Sequence, residues 1–200
     1  TMAAPSSTLQ RIELPTGTLD LRIDSGAAEL DELLGFAARA NAKRGFLFLS
    51  KVLGKHWPAS PRAMLAVHER LAATVPPVDG PVLFIAMAET AIGLGQGVFE
   101  AWLRAHPAQQ ALFLYTTRYR VGAGPLIEFA EAHSHAPRQF LHEPTDPALH
   151  ALFMAARTVV MVDDEASTGN TFVNLAAACR RLNPGIERVH LATITNFMGP

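Results

Sequence analysis

The stretch VVMVDDEASTGNT, residues 159–171, decides the expected fold and chemistry of this chain. Its opening apolar residues predict a buried strand, which ends at two adjacent acids, Asp163 and Asp164. Small and hydroxyl-bearing residues follow, and then a helical pattern begins. A loop of small residues lets successive backbone N–H groups point at one anion, at the positive end of the following helix. This order predicts a phosphate site with a pair of carboxylates beside it.

The carboxylates of Asp163 and Asp164 suit the vicinal hydroxyls of a sugar or a hydrated divalent cation. The hydroxyls of Ser167, Thr168 and Thr171 would add donors to the phosphate loop. Phosphate on one side and a polyol with a cation on the other describe a ribose 5-phosphate. The alternative is an ordinary strand-to-helix turn with two solvated acids.

Working outward, compact apolar runs predict five buried strands. They are FLFLS (46–50), VLFIAM (82–87), ALFLYTT (111–117), TVVMVD (158–163) and VHLATI (189–194). Helical patterns lie between most of these runs, so the chain is expected to be α/β, with a central, mostly parallel five-stranded sheet flanked by helices. Ligands bind at the carboxyl ends of such strands, which directs attention to the loops that follow them.

The segment before the first of these strands has a different pattern. Two short alternating segments, 9–14 and 18–23, predict a β-hairpin, and ELDELLGFAARAN (29–41) has the apolar spacing of a helix. Two further helices have clear start signals, Ser60-Pro61 and Thr145-Asp146-Pro147.

Composition limits the classes of partner. Apolar residues make up 49% of the chain, and the formal charge is −1, so no global field favours a nucleic acid. The longest apolar run, residues 82–88, is too short for a membrane span, and no signal peptide is visible, so we expect a cytoplasmic protein. Cys179, the single cysteine, is expected to be a buried structural thiol.

Residues 159–171 resemble the phosphoribosyl pyrophosphate (PRPP) signature of the type I phosphoribosyltransferases. The resemblance implies that Asp163 and Asp164 bind the ribose hydroxyls, and that Mg²⁺ is held through these two acids and PRPP. It assigns the 5-phosphate to the residues of the following loop, which are Ala166, Ser167, Thr168, Gly169, Asn170 and Thr171.

Two positions of the signature depart from the family pattern. Glu165 stands where the family usually has an aliphatic residue; a structural or dimer-facing role is favoured for it, although it could act as a base if it turned inward. Ser167 stands where the 6-oxopurine enzymes have an aspartate that serves as general base. The resemblance therefore favours an orotate-type over a 6-oxopurine-type enzyme.

Other stretches narrow the resemblance. Residues 44–61, 87–99, 114–121 and 128–137 are similar to the orotate-phosphoribosyltransferase-like proteins of tellurite-resistance (ter) operons, and with the signature the resemblance covers most of residues 40–197. It implies one phosphoribosyltransferase domain over residues 1–200 and a homodimer. It further implies a hood formed by residues 1–28 and 195–200 and a mobile lid at 121–143.

The resemblance also implies roles for residues in other loops. Ser50, Lys51 and Val52 would bind pyrophosphate, with a solvated basic turn as the alternative, and Arg118 would bind pyrophosphate from a third strand. Glu89 would lie on the ribose and metal side of the site.

Thr90 shares that expected position with Glu89. On the lid, His133 and His135 would contact pyrophosphate or the incoming base. Together with Glu131 they could instead form part of a zinc site, or they could be ordinary surface residues.

These residues predict Mg²⁺-dependent transfer of a 5-phosphoribosyl group between PRPP and a nitrogenous base-like acceptor, in the biosynthesis of a nucleoside-like metabolite. The expected catalytic set is Lys51, Arg118, His133, His135, Asp163 and Asp164. Two alternatives stay open, namely a non-catalytic sensor of PRPP or nucleotide on the same fold, and the reverse, phosphorolytic reaction. The sequence does not identify the acceptor base.

Overall fold

A computed structural model describes residues 7–41, 44–130 and 138–198. The chain divides into two compact units, one ending at Ser60 and the other beginning at Pro61. The second unit contains the residues of the 159–171 stretch. No helix among the described residues is both long and apolar enough to cross a membrane.

The first unit consists of two antiparallel strand pairs. Strands β1 (Thr8–Leu14) and β2 (Gly17–Ile23) form the predicted hairpin. A 3₁₀ turn (Ala27–Glu29) and a single helical turn, α1 (Leu30–Leu33), lead into the second pair, β3 (Leu34–Ala38) and β4 (Phe46–Ser50).

The prediction of a helix over 29–41 is wrong beyond its first turn. Gly35 lowers the helix propensity of this segment, and the residues after Leu33 gain more by pairing with β4. Phe36 lies opposite Phe48 in that pair, with ring centroids 5.6 Å apart in an edge-to-face arrangement. A cross-strand contact of this kind cannot be seen in the apolar spacing of one segment.

The second unit is built on one mixed sheet of six strands in the order β10-β9-β5-β6-β8-β7. The strands are β5 (Val82–Ala86), β6 (Ala111–Thr117), β7 (Leu126–Ala130), β8 (Arg138–His142), β9 (Thr158–Ala166) and β10 (Arg188–Asn196). The first four in the spatial order are parallel, and β8 and β7 extend the sheet antiparallel.

The α/β class is confirmed, but the membership of the central sheet differs from the expectation of five strands. FLFLS, as β4, pairs with β3 in the first unit instead of joining the central sheet. Two strands that were not predicted, β7 and β8, take part because Phe129, Phe140 and Leu141 bury apolar side chains there. Both strands come from the segment 121–143, whose role as a lid stays a prediction.

Helices cover both faces of this sheet. They are α2 (Pro61–Ala73), α3 (Ile92–Ala105), α4 (Pro147–Ala155) and α5 (Asn170–Leu182). On one face, Phe84 of β5 packs against Trp102 of α3 with ring centroids 5.4 Å apart. On the other, Leu83 and Ile85 share a core with residues of α4 and α5. Strand β5 is therefore buried from both sides, as its continuous apolar run indicated.

Local signals in the sequence agree with two details of this unit. Asp146 caps α4 by accepting hydrogen bonds from the backbone N–H groups of Ala148 and Leu149, at 2.9 and 3.0 Å. Cys179 is a fully buried residue of α5, where desolvation raises the pKa of its thiol to about 12. The expectation of a buried cysteine is confirmed, and the raised pKa of its thiol keeps it protonated at neutral pH.

Candidate active site at the ends of strands β5, β6 and β9

A cavity of about 320 Å³ opens at the carboxyl ends of β5, β6 and β9, beside the start of α5. Its walls belong to the second unit. They are formed by Met87, Ala88, Glu89, Thr90, Arg118, Gln139, Asp163, Asp164, Glu165, Ser167, Thr168, Gly169, Thr171 and Phe172. The loops predicted to carry the chemistry after β5, β6 and β9 therefore meet in one place.

The cavity forms because the two strands that pair with β9, which are β5 and β10, stop pairing with it at different residues. The ladder between β5 and β9 ends with Ala86 opposite Val162. The ladder between β10 and β9 continues to Asn196, opposite Ala166. The last residues of β9 are thus held from one edge, and the chain after β5 turns away from them to form the facing wall.

The acid pair lies in this last part of β9, half-buried. Asp163 Oδ1 accepts a hydrogen bond from the backbone N–H of Asp164 at 2.9 Å. The hydroxyl of Thr90, from the loop after β5, donates to Asp164 Oδ1 at 3.0 Å. The hydroxyl of Thr195, from β10, donates to the backbone oxygen of Asp164 at 3.2 Å. The contact with Thr90 holds the Asp164 carboxylate, and the contact with Thr195 holds the backbone beside it, so that the acid pair is preorganised for a ligand.

The phosphate loop follows directly. Gly169, at φ 79°, precedes the first turn of α5, and its carbonyl accepts from the N–H of Val173 at 3.1 Å. A glycine is favoured here because this left-handed conformation costs other residues energy. Ser167, Thr168, Gly169 and Thr171 line the cavity. Of the other two residues predicted to bind phosphate, Ala166 is buried at the end of β9 and Asn170 begins α5 with its side chain exposed.

The residues after β10 pack against the same loop. The backbone N–H of Phe197 donates to the carbonyl of Ala166 at 2.8 Å. Met198 lies against Gly169, so that a Cβ at position 169 would come within 2.6 Å of its Sδ. Met198 lies in the segment 195–200 expected to be part of the hood, but its contact with Gly169 was not predicted, because an apolar residue after the last strand carries no local signal of such a contact.

The loop after β5 faces the acid pair and is anchored by buried polar side chains. The peptide bond between Ala88 and Glu89 is cis. The N–H of Ala88 donates to the Thr116 hydroxyl at 2.8 Å, and that hydroxyl donates to Gln139 Oε1 at 2.9 Å. Thr116 and Gln139 are both buried, and Gln139 lines the cavity from β8. The sequence did not point to Gln139, because RQFLH (138–142) has no alternation of polar and apolar residues and Gln139 reaches the site only through the pairing of β8 with β6.

The charges around the cavity are unequal. Arg118, just beyond β6, is the cation among the described residues of the lining, which also include four acidic residues, Glu89, Asp163, Asp164 and Glu165. Glu165 is half-buried in the wall. The structural or dimer-facing role favoured for it from the sequence stays a prediction.

The predicted pyrophosphate residues Ser50, Lys51 and Val52 belong to the first unit. Ser50 ends β4, and its Oγ accepts from the N–H of Val52 at 3.4 Å. Lys51 Nζ donates to the carbonyl of Asp31 at 2.7 Å and lies 5.7 Å from the ring centroid of Trp57. Their role at pyrophosphate stays a prediction.

The lid residues Glu131, His133 and His135 lie outside the described residues. Within the described part of the chain, no group of three or more His, Cys, Asp or Glu could hold a metal ion. The donor set does fit Mg²⁺, which prefers oxygen ligands, keeps several waters and is usually bound by one or two carboxylates together with substrate phosphates. Asp163 and Asp164 are the residues that would hold it.

Comparison with known proteins agrees with this geometry. A family model described as phosphoribosyl transferase matches residues 33–200, which include parts of both units. A search of curated proteins finds no match.

Solved structures with the same fold include three adenine phosphoribosyltransferases. The one from Leishmania tarentolae has a TM-score of 0.58 at 16% identity and covers 96% of this chain and 84% of its own. The one from Leishmania donovani has a TM-score of 0.59 at 16% identity, and the match covers 88% of this chain and 71% of the Leishmania donovani chain. The third, from Trypanosoma brucei, is in complex with AMP, pyrophosphate and ribose-5-phosphate. It has a TM-score of 0.56 at 12% identity, and the match covers 84% of this chain and 67% of the Trypanosoma brucei chain. This chain shares its fold with these enzymes. Because the family model matches most of the chain, residues 33–200, the chain belongs to the phosphoribosyl transferase family.

Proposed function

We propose that this protein transfers a 5-phosphoribosyl group between PRPP and a nitrogenous base-like acceptor, with Mg²⁺. One observation carries the proposal: a fixed pair of carboxylates and a phosphate loop at a helix N-terminus line the same cavity. Membership of the phosphoribosyl transferase family supports it. So does the Trypanosoma brucei enzyme of the same fold, which is seen with ribose-5-phosphate, pyrophosphate and a nucleotide.

Each wall of the cavity would hold one part of PRPP. Asp163 and Asp164 would accept hydrogen bonds from the ribose hydroxyls, and the loop from Ser167 to Thr171 would bind the 5-phosphate through backbone N–H groups and hydroxyls. Arg118 would face the pyrophosphate. Glu89 and Thr90 lie across from the acid pair, on the ribose side.

Residues away from this cavity complete the proposal. Ser50, Lys51 and Val52 of the first unit would add backbone donors and an ammonium charge to the pyrophosphate. His133 and His135 would contact pyrophosphate or the acceptor.

The protein's contribution to the reaction is to hold its partners and balance charge. The bond between ribose C1 and the pyrophosphate oxygen breaks, and its electron pair leaves with pyrophosphate. The lone pair of the acceptor nitrogen forms the new bond to C1 from the opposite face, and any proton on that nitrogen passes to the solvent. The two acids fix the ribose while positive charge develops on it, and Arg118 faces negative charge on the leaving group. Mg²⁺, when bound, would neutralise part of the charge of pyrophosphate.

Two observations bear on the identity of the acceptor. Ser167 provides no carboxylate in the phosphate loop, which distinguishes this chain from the 6-oxopurine pattern. The orotate-type specificity and the link to ter operons rest on the sequence resemblance. The adenine enzymes of the same fold, at 12–16% identity, do not decide the acceptor.

Release of pyrophosphate from PRPP tests the proposal directly. The protein is incubated with PRPP, Mg²⁺ and one base at a time from adenine, guanine, hypoxanthine, uracil and orotate. We expect release with at least one base and none when the base is omitted. If PRPP binds but no base supports release, a sensor is favoured. If a nucleotide and pyrophosphate yield PRPP while the forward reaction is slow, the reverse direction is favoured. If neither PRPP nor ribose 5-phosphate binds, the proposal is wrong.

A further inference from the structure

Met198, two residues beyond β10, places its thioether directly against the phosphate loop. Its Sδ lies so close to Gly169 that a Cβ added to this glycine would come within 2.6 Å of the sulfur. The side chain of Met198 is nevertheless 41% exposed, so a small solute can reach the sulfur from the solvent. The proposed roles of the site leave this thioether unused.

Two hydrogen bonds hold the backbone of this segment beside the loop. The N–H of Phe197 donates to the carbonyl of Ala166, the last residue of β9, at 2.8 Å. Asn196 Oδ1 accepts from the N–H of Met198 at 2.9 Å. The end of the Met198 side chain can move, but its backbone keeps it next to Gly169. A chemical change at the sulfur therefore takes place within reach of the phosphate loop.

The chemistry open to an exposed thioether is oxidation by a peroxide. A lone pair of Sδ attacks one oxygen of hydrogen peroxide, and the O–O bond breaks. The other oxygen leaves as hydroxide, takes the proton of the transferred hydroxyl group and becomes water. The sulfur loses two electrons, the peroxide gains them, and the product is methionine sulfoxide. The single thiol of the chain, on Cys179, is fully buried and protonated and does not compete for the peroxide.

We propose that Met198 is a site of reversible oxidation by peroxides, and that its sulfoxide weakens phosphate binding by the loop from Ser167 to Thr171. This inference rests on the proposed function, in which that loop holds the 5-phosphate. The first N–H groups of α5 directly follow Gly169. A thioether sulfur is a weak hydrogen-bond acceptor, whereas the sulfoxide group is polar. The added oxygen competes with the phosphate for these backbone donors.

Met154 provides a matched comparison within the same chain. Among the described residues, Met154 and Met198 are the exposed methionines, at 43% and 41%. Met154 lies on α4 and does not line the cavity. Both thioethers should therefore react with peroxide, and the effect on phosphate binding should come from Met198.

The test compares each protein with its own untreated sample. The wild type, Met198→Leu and Met154→Leu are treated with hydrogen peroxide, and ribose 5-phosphate binding is measured by calorimetry before and after. Mass spectrometry of peptides locates the sulfoxides. Met198→Gln, whose amide oxygen stands in for the sulfoxide oxygen, is measured without peroxide. Methionine sulfoxide reductases are then added to the oxidised wild type.

We expect peroxide to lower the affinity of the wild type and of Met154→Leu for ribose 5-phosphate about fivefold to tenfold, the size of one competing hydrogen bond. Met198→Leu should keep its own untreated affinity. Met198→Gln should bind ribose 5-phosphate more weakly than the untreated wild type, and the reductases should restore the affinity of the oxidised wild type.

Three results would overturn the inference while ribose 5-phosphate still binds the untreated wild type. Met198 could stay unoxidised under conditions that oxidise Met154, the Met198 sulfoxide could leave the affinity unchanged, or Met198→Leu could lose as much affinity as the wild type. If the untreated wild type binds neither ribose 5-phosphate nor PRPP, the proposed function itself is wrong, and this inference with it.

Discussion

At the scale of single residues, the backbone conformation of Gly169 gives the phosphate loop the shape in which it would bind the expected ligand. Its φ of 79° falls in the left-handed region that L-residues with a side chain avoid, and its position directly precedes the first N–H groups of α5. An alanine there would also press a Cβ against Met198 Sδ, but the end of a methionine side chain moves easily. The backbone conformation, more than the contact, makes this position a glycine.

Substitution of Gly169 by alanine should therefore damage both stability and phosphate binding. We expect a loss of about 1–2 kcal/mol in the free energy of unfolding and a ribose 5-phosphate affinity reduced about tenfold or more, because the loop relaxes out of its left-handed conformation. Urea unfolding and calorimetry measure the two effects.

Gly80 provides the matched control for this substitution. It has a similar φ of 81° in an exposed turn before β5, with nothing within 4 Å of an added Cβ. Gly80→Ala should lose comparable stability and keep its affinity for ribose 5-phosphate. Adding Met198→Ala to the Gly169→Ala variant should restore little of the lost stability or of the lost affinity for ribose 5-phosphate. Equal affinities of Gly169→Ala and the wild type would show that the loop conformation does not serve phosphate binding.

At the scale of elements, the loop after β5 is held against the sheet by buried polar groups of β6 and β8. Thr116 accepts from the Ala88 N–H and donates to Gln139, and neither Thr116 nor Gln139 reaches solvent. The antiparallel strand β8 thus does more than widen the sheet, because it positions the wall that faces the acid pair.

Replacing Thr116 by valine should destabilise the protein by about 2 kcal/mol or more, since it leaves a buried N–H and a buried amide oxygen without this partner. The shape of the side chain is kept, so the loss reports the hydrogen bonds. Thr117→Val, one residue along β6, removes a hydroxyl that bonds the carbonyl of Tyr119 at an exposed site and should cost less. Similar losses for both variants in urea unfolding would refute a special role of Thr116.

Elements with strong local signals could be predicted from the sequence. The signature strand, its loop and helix α5 were all predicted, as was the Asp146 cap of α4, because each depends on residues adjacent in the chain. Strands β3, β7 and β8 were not predicted, since they are stabilised by partners distant in sequence, such as Phe48 for Phe36. Likewise, Gln139 joins the site only through the pairing of β6 with β8.

At the scale of the whole molecule, the near-neutral sum of charges conceals a local imbalance. The formal charge of −1 gives no reason to expect an anion-binding protein. Around the cavity, however, carboxylates outnumber the described cation, and the expected phosphate site relies on backbone N–H groups more than on side-chain charge. Composition alone could not reveal this division, because it depends on which strand ends meet.

The stability of the molecule should depend on two partly buried histidines. Burial lowers the pKa of His68 and of His190 in the folded protein. For His68, Glu100 partly opposes the shift, and Arg104 adds to it. In the unfolded chain both rings titrate near their ordinary pKa of about 6.5, so the unfolded state binds more protons below that pH. The two neutral rings therefore contribute to the free energy of unfolding above about pH 6.5, and this contribution is lost as the pH falls from there toward the lowered pKa values of the folded protein.

The free energy of unfolding should therefore decrease between about pH 7.5 and pH 5.5, and less so in a His68→Gln/His190→Gln variant. Urea unfolding of both proteins across this range measures the difference. An unchanged slope in the double variant would show that these two rings do not contribute to the pH dependence.

Calorimetric titration of PRPP with Mg²⁺ into the wild type and into an Asp163→Asn/Asp164→Asn variant tests the central claim most directly. The account predicts saturable binding to the wild type and an affinity reduced about 100-fold or more in the variant, because each amide replaces a carboxylate that would accept a charged hydrogen bond worth about 1.5–3 kcal/mol. Both proteins should bind inorganic phosphate similarly, since the loop from Ser167 to Thr171 is unchanged. Equal PRPP affinities, or no binding of PRPP by the wild type, would contradict it.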